Sequence, residues 1–138
     1  MRVLVCDDEP VIRKLVELSL RGSGHDLRTV GSGAEALATM RDWAPDVLLT
    51  DVAMPEMDGL DLAASARSDP RLKDLPIVFM TATVHVEHIA ERTVGGPTAY
   101  LYKPFGPAAL RELLDSLAAR GGPSLPAGRA ASPSRGDR

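Results

Sequence analysis

Leu49-Thr50-Asp51-Val52-Ala53-Met54-Pro55-Glu56-Met57-Asp58-Gly59 joins two segments of different character. Ahead of it the run Val47–Leu49 is continuously apolar, which suits a strand buried on both faces rather than one face. After Gly59 the spacing predicts a helix around Leu60–Arg67, stopped by the Asp69-Pro70 turn. A fully buried strand that ends at an acidic residue and passes through a short loop into a helix is the repeating unit of a parallel α/β sheet.

The same alternation extends in both directions. Continuous apolar runs recur at Val3–Cys6, Ile77–Met80 and Ala99–Tyr102, with a weaker one at Leu27–Val30. Between them lie segments with helical spacing. The first is expected to open on Pro10 and to turn Val11, Ile12, Leu15 and Leu18 inward. Ser32-Gly33-Ala34-Glu35 has the spacing of a capping box, so a second helix should start there and bury Leu37 and Met40. A fourth helix is expected around Val84–Val94, ending at Gly95-Gly96-Pro97. In the last, Leu110, Leu113, Leu114 and Leu117 form one stripe. Strand and helix alternating five times with short links predicts a doubly wound α/β sheet, with right-handed crossovers placing helices on both faces.

At 138 residues, 44% hydrophobic and 25% charged, the chain has the make-up of one soluble globular domain. A formal net charge of −3 argues against general nucleic-acid binding. No apolar run approaches the length of a membrane span, and Val3–Cys6 runs directly into Asp7, Asp8 and Glu9, unlike a signal peptide. The single cysteine, Cys6, cannot form an internal disulfide, and a cytoplasmic location is expected. Residues 1–122 read as the folded domain; 123–138, rich in Pro, Ser, Ala, Gly and Arg without periodicity, read as a disordered tail.

Polar residues fall at the strand ends. The first strand ends in Asp7 and Asp8, the third in Asp51, the fourth in Thr81 and the fifth in Lys103. In an open parallel sheet ligands bind beyond the carboxyl ends of the strands, so three carboxylates, a hydroxyl and an ammonium should converge on one edge. Gathered carboxylates repel, and a hard divalent cation such as magnesium relieves that repulsion. One carboxylate could then act as a nucleophile toward a phosphoryl group, giving an acyl phosphate, with Lys103 and Thr81 contacting the phosphoryl oxygens.

At these residues the sequence closely resembles the receiver domain of two-component response regulators. The markers are Val5-Cys6-Asp7-Asp8-Glu9, the Leu49–Gly59 stretch, Phe79-Met80-Thr81-Ala82 and Tyr102-Lys103-Pro104-Phe105, in order over about residues 1–120. The resemblance implies a flavodoxin-like sheet of strand order 2-1-3-4-5 flanked by five helices. It implies Asp51 as phospho-acceptor, and Mg2+ held by Asp8, Asp51 and the backbone carbonyl of Ala53, with Asp7 acting mainly through a metal-bound water. It gives Thr81 and Lys103 phosphoryl contacts and makes Thr81 and Tyr100 the switch. Ala53 and Thr83 would flank the phosphoryl site, and Pro104 would follow a cis bond. The expected partners are a histidine kinase or histidine phosphotransfer protein as donor and a downstream protein target, without direct DNA binding or membrane contact. The protein would be no enzyme beyond its own phosphorylation and dephosphorylation, a stand-alone module of the chemotaxis-regulator kind.

The Gly95-Gly96-Pro97-Thr98-Ala99 segment departs from the family's usual Gly-Ala followed by acidic residues, which bears on the output surface rather than the chemistry. His85 and His88 read as a solvated helix face and Trp43 as a loop cover over the core. Two alternatives stand beside this reading. A haloacid-dehalogenase-type phosphohydrolase would want a second acid two residues after the nucleophile, where this chain has Ala53. A phosphorylation-independent binding module on the same fold would be expected to have lost an acid, the hydroxyl or the lysine.

Overall fold

Alternate residues of each buried strand serve opposite faces, and that alternation divides the core in two. The structure, a computed structural model, describes residues 1–82 and 99–119. Five parallel strands, β1 (Arg2–Cys6), β2 (Asp26–Val30), β3 (Val47–Asp51), β4 (Ile77–Thr81) and β5 (Ala99–Tyr102), form one sheet in the order β2-β1-β3-β4-β5. Four helices are seen among the described residues: α1 (Pro10–Leu20), α2 (Gly33–Asp42), α3 (Gly59–Arg67) and α4 (Pro107–Ala119). The helix expected around Val84–Val94, Thr83, His85 and His88, the Gly95–Thr98 loop and the tail 123–138 lie outside the described residues.

Leu4, Cys6, Leu48, Ile77 and Phe79 point to one face, where Ala36 and Met40 of α2 and Leu60, Leu62, Ala63 and Ala66 of α3 cover them. Val3, Val5, Val47, Leu49, Val78 and Met80 point to the other, under Val16 and Leu20 of α1 and Leu110, Leu114 and Leu117 of α4. The three central strands are therefore continuously apolar over Val3–Cys6, Val47–Leu49 and Ile77–Met80, because both faces are dry there.

The expected inward face of α1 needs correction. Val16 is fully buried, Leu20 is nearly so, and Ile12 and Leu15 are partly covered. Val11 and Leu18, in contrast, are 75% and 51% exposed. At about 100° per residue, Val11 and Leu18 lie roughly 140–160° around the helix from Val16. Apolar residues occur on both sides of α1, and contact with β1 and α4 selects which side is inside.

The start of α2 also differs in detail. The Ser32 hydroxyl accepts from the Glu35 N–H at 3.2 Å as expected, but Glu35 Oε1 accepts from Gly31 N–H at 2.8 Å instead of returning to Ser32. The reciprocal capping box appears at α3, where Asp61 N–H donates to Asp58 at 2.8 Å and Asp58 N–H donates to Asp61 at 3.3 Å. Ser32→Ala removes one acceptor from an exposed cap and is expected to cost about 1 kcal/mol, read from urea unfolding. Trp43 follows α2 and packs on the core edge, with the Arg28 and Arg2 guanidiniums 4.6 and 5.6 Å from its ring centroid.

Candidate functional site

The loops beyond the carboxyl edge of the sheet bring residues from three strands together. β1 ends at Cys6, and Asp7 continues its direction, with its N–H bonded to the Val30 carbonyl at 3.1 Å. Asp7 is fully buried, and its Oδ1 accepts from Glu9 N–H at 2.9 Å, a local turn that feeds the chain into Pro10 and α1. Asp8 is exposed beside it. Asp51, the last residue of β3, is 8% exposed. Carboxylate oxygens of Asp7, Asp8 and Asp51 lie within 4.8 Å of one another, a spacing at which one cation can be shared.

Lys103, just after β5, closes the group. Its Nζ donates to Asp7 Oδ2 at 2.9 Å and to Asp51 Oδ1 at 3.1 Å, and it is itself largely covered. Its backbone N–H donates to the Thr81 carbonyl at 2.8 Å, so the lysine is held from both ends. The Lys103-Pro104 peptide is cis. Burial pushes the Asp51 carboxyl above its ordinary range and the negative charge of Asp7 adds to this, while Lys103 pulls it back only in part. Burial acts against the Lys103 ammonium, but its hydrogen bond to Asp7 and the charge of Asp51 outweigh that and hold its pKa above the usual value. The site is thus an acid cluster short of positive charge even with the lysine in place. Hard oxygen donors on a partly covered edge fit magnesium, with Asp7, Asp8 and Asp51 as the side chains that would hold it.

Thr81 is buried at the end of β4, in register with Tyr102 on β5 and one strand away from Asp51. Tyr100 is partly buried, its ring 6.4 Å from that of Phe79 and 6.2 Å from that of Tyr102, the latter pair nearly parallel at 21°. Ala53 is exposed in the β3–α3 loop. The same loop holds Glu56 at φ 66°, a left-handed conformation costly for a residue with a side chain. Gly59 N–H closes the loop on the Val52 carbonyl at 2.8 Å.

Asp7, Asp8, Asp51 and Lys103, read from the strand ends, are brought into direct contact range. Thr81 and Tyr100 take neighbouring strand positions, and Ala53 lies on the adjoining loop. Sequence reading missed two contributors. Arg13 Nη1 donates to the Asp7 backbone carbonyl at 2.7 Å, and Glu56 carries the unusual backbone angle. An arginine on an amphipathic helix reads as solvated, and glutamate has no preference for positive φ, so neither gave a signal. No helix among the described residues is long and apolar enough to cross a membrane.

Three comparisons bear on the site. The family model for the response regulator receiver domain matches residues 3–115. The chain is 36% identical over 118 residues to chemotaxis protein CheY-3 of Vibrio cholerae, covering 85% of this chain and 91% of that protein. It is 35% identical over 109 residues to the DNA-binding response regulator MtrA of Mycolicibacterium smegmatis, covering 79% of this chain and 46% of that one. The chain therefore spans about half the length of some curated relatives it matches. A solved structure of the receiver domain of a Pseudomonas aeruginosa sensor histidine kinase, with magnesium coordinated in its active-site cleft, superposes with a TM-score of 0.74 at 27% identity. That superposition covers 83% of this chain and 93% of that one.

Proposed function

The chain belongs to the response regulator receiver domain family, and from that premise we propose that it takes a phosphoryl group on Asp51, with magnesium, and thereby switches its affinity for another protein. The observation that carries the reading is the Lys103 ammonium held between Asp7 and Asp51, beside a third carboxylate. Magnesium bound at the carboxylates would neutralise charge on the incoming phosphoryl oxygens. Asp51 is the nucleophile: one of its carboxylate oxygens forms the new bond to phosphorus as the bond to the donor's leaving group breaks, and that group departs with the bonding electrons. Lys103 then turns from the carboxylates to the phosphoryl oxygens, and Thr81 donates its hydroxyl to one of them. Asp8 and the Ala53 carbonyl would hold the metal beside Asp51, with Asp7 acting mainly through a metal-bound water.

The donor class is a phosphohistidine on a histidine kinase or phosphotransfer protein. The change at Thr81 passes to Tyr100, which lies against Phe79 and Tyr102, and so to the side of the domain that carries β5 and α4. A protein target docks there; DNA binding is named for MtrA and belongs to that protein. The chain's catalysis is limited to its own phosphorylation and dephosphorylation.

Incubation with acetyl phosphate and magnesium, followed by mass spectrometry, should place one acid-labile phosphoryl group on Asp51. Stable phosphate on Ser or Thr with none on Asp51 contradicts the reading. Magnesium affinity should also depend on pH. Ligation needs the ionised carboxylate, and the Asp51 pKa is raised by burial first and by Asp7 second. Affinity should therefore fall on acidification, and the fall should begin above the range where an ordinary aspartate titrates. Calorimetric titration with magnesium chloride at a series of pH values from neutral downward checks the direction.

A further inference from the structure

The segment that carries Asp7 and Asp8 is held at three points. Asp7 N–H donates to the Val30 carbonyl at 3.1 Å, and Asp7 Oδ1 accepts from Glu9 N–H at 2.9 Å. The third is a side chain: Arg13 reaches back from within α1, and its Nη1 donates to the Asp7 carbonyl at 2.7 Å. That carbonyl belongs to the peptide joining Asp7 to Asp8, so the bond sets the plane from which the Asp8 side chain departs.

The guanidinium is itself confined. A Cβ added at Gly31 would lie 3.2 Å from Arg13 Nη1 and 3.7 Å from its Cζ, so the group rests against bare backbone at the end of β2. Glu35 Oε1 approaches the same point at 3.7 Å while accepting from Gly31 N–H. Arg13 thus sits where the β1–α1 and β2–α2 loops meet. It also lies near the positive end of α1, where a cation is disfavoured electrostatically. Its placement there is accounted for by the carbonyl it holds.

We propose that Arg13 is a positioning residue for the metal-binding pair, fixing the Asp7–Asp8 peptide so that both carboxylates converge with Asp51. The proposal rests on the reading of the cluster as a magnesium site, and the sign of its effect separates it from simple electrostatics. Removing a nearby cation should, by charge alone, tighten the binding of another cation. Removing a positioning contact should loosen it.

Magnesium chloride is titrated calorimetrically into the full chain as wild type, Arg13→Met and Arg13→Lys, with the melting temperature of each metal-free protein measured alongside. Arg13→Met should bind magnesium about tenfold more weakly, the size of effect typical of groups that orient metal ligands. Arg13→Lys, which keeps a charged donor, should recover most of that loss. Arg13→Gln, neutral with a shorter reach, gives the same comparison if Arg13→Met does not fold. Equal or tighter binding by a folded neutral variant overturns the proposal, as does a fall in melting temperature with unchanged magnesium affinity. A wild-type chain that fails to bind magnesium overturns the metal reading itself and this inference with it.

Discussion

Asp51→Asn will abolish phosphoryl acceptance and, at neutral pH, will make the metal-free fold more stable. The first effect follows from removing the nucleophilic carboxylate: an amide at the same position is no nucleophile at neutral pH, and a beryllium fluoride complex has no oxygen anion on which to form. NMR shifts around Thr81 and Tyr100 should move when beryllium fluoride and magnesium are added to wild type, and stay still in the variant. The second effect follows from the environment of Asp51. Burial raises its pKa and Asp7 raises it further, so the folded state holds a proton there more tightly than the unfolded chain does. The stability this provides is fully present below the ordinary aspartate value and is lost as pH rises through the raised one. At neutral pH the ionised group is therefore a net cost to the fold. Asparagine removes the charge while keeping an acceptor for the Lys103 ammonium, which Asp51 Oδ1 meets at 3.1 Å. The stability gap between variant and wild type should shrink as pH falls toward about 4, the ordinary aspartate range. An Asp51→Asn protein that melts below wild type at neutral pH would contradict the account of repulsion at the site.

Gly59→Ala will unsettle both fold and site through a single methyl group. A Cβ on Gly59 would fall inside the van der Waals envelope of the Asp51 carbonyl oxygen and lie 3.0 Å from Val52 Cα. These are backbone atoms at the end of the central strand β3, which is hydrogen-bonded to β1 and β4, so they cannot rotate away as a side chain would. Either α3 retreats from the sheet, losing contacts of Leu60, Leu62 and Ala63, or the Asp51 backbone shifts beneath its carboxylate. The cost should be about 3 kcal/mol, the upper end of the usual range for overpacking. That corresponds to a fall of roughly 10 °C in Tm for a domain of this size. Magnesium affinity should fall as well, because the displaced atoms carry Asp51. An alanine variant with wild-type Tm and wild-type magnesium binding would show that the helix–strand junction has slack the geometry denies.

Asp51 and Gly59 differ in how far the residue pattern reveals their roles. The acid cluster could be read in advance because strand ends are visible as breaks in apolar runs, and a parallel sheet places all carboxyl ends on one edge. Asp7, Asp8, Asp51, Thr81 and Lys103 follow from that rule without knowledge of any distance. Gly59 could be placed at the start of a helix, but not identified as the point where helix backbone meets the Asp51 carbonyl. That is a contact between atoms carrying no side chain, and no residue pattern encodes it.

Sequence alone determined the alternation of buried strands and helices and the edge on which the polar residues gather. Both depend on hydrophobic period and on chain direction, which are properties of the sequence itself. Tertiary structure decided the rest. It chose Val16 and Leu20 over Val11 and Leu18 as the buried face of α1, because that helix is apolar on two sides and only its neighbours break the tie. It joined Lys103 to Asp7 across 96 residues of chain, and it turned Arg13 from a surface cation into the group that holds the Asp7 carbonyl. Such contacts are fixed by how loops from different strands meet in space, where a few tenths of an ångström separate a hydrogen bond from an empty approach.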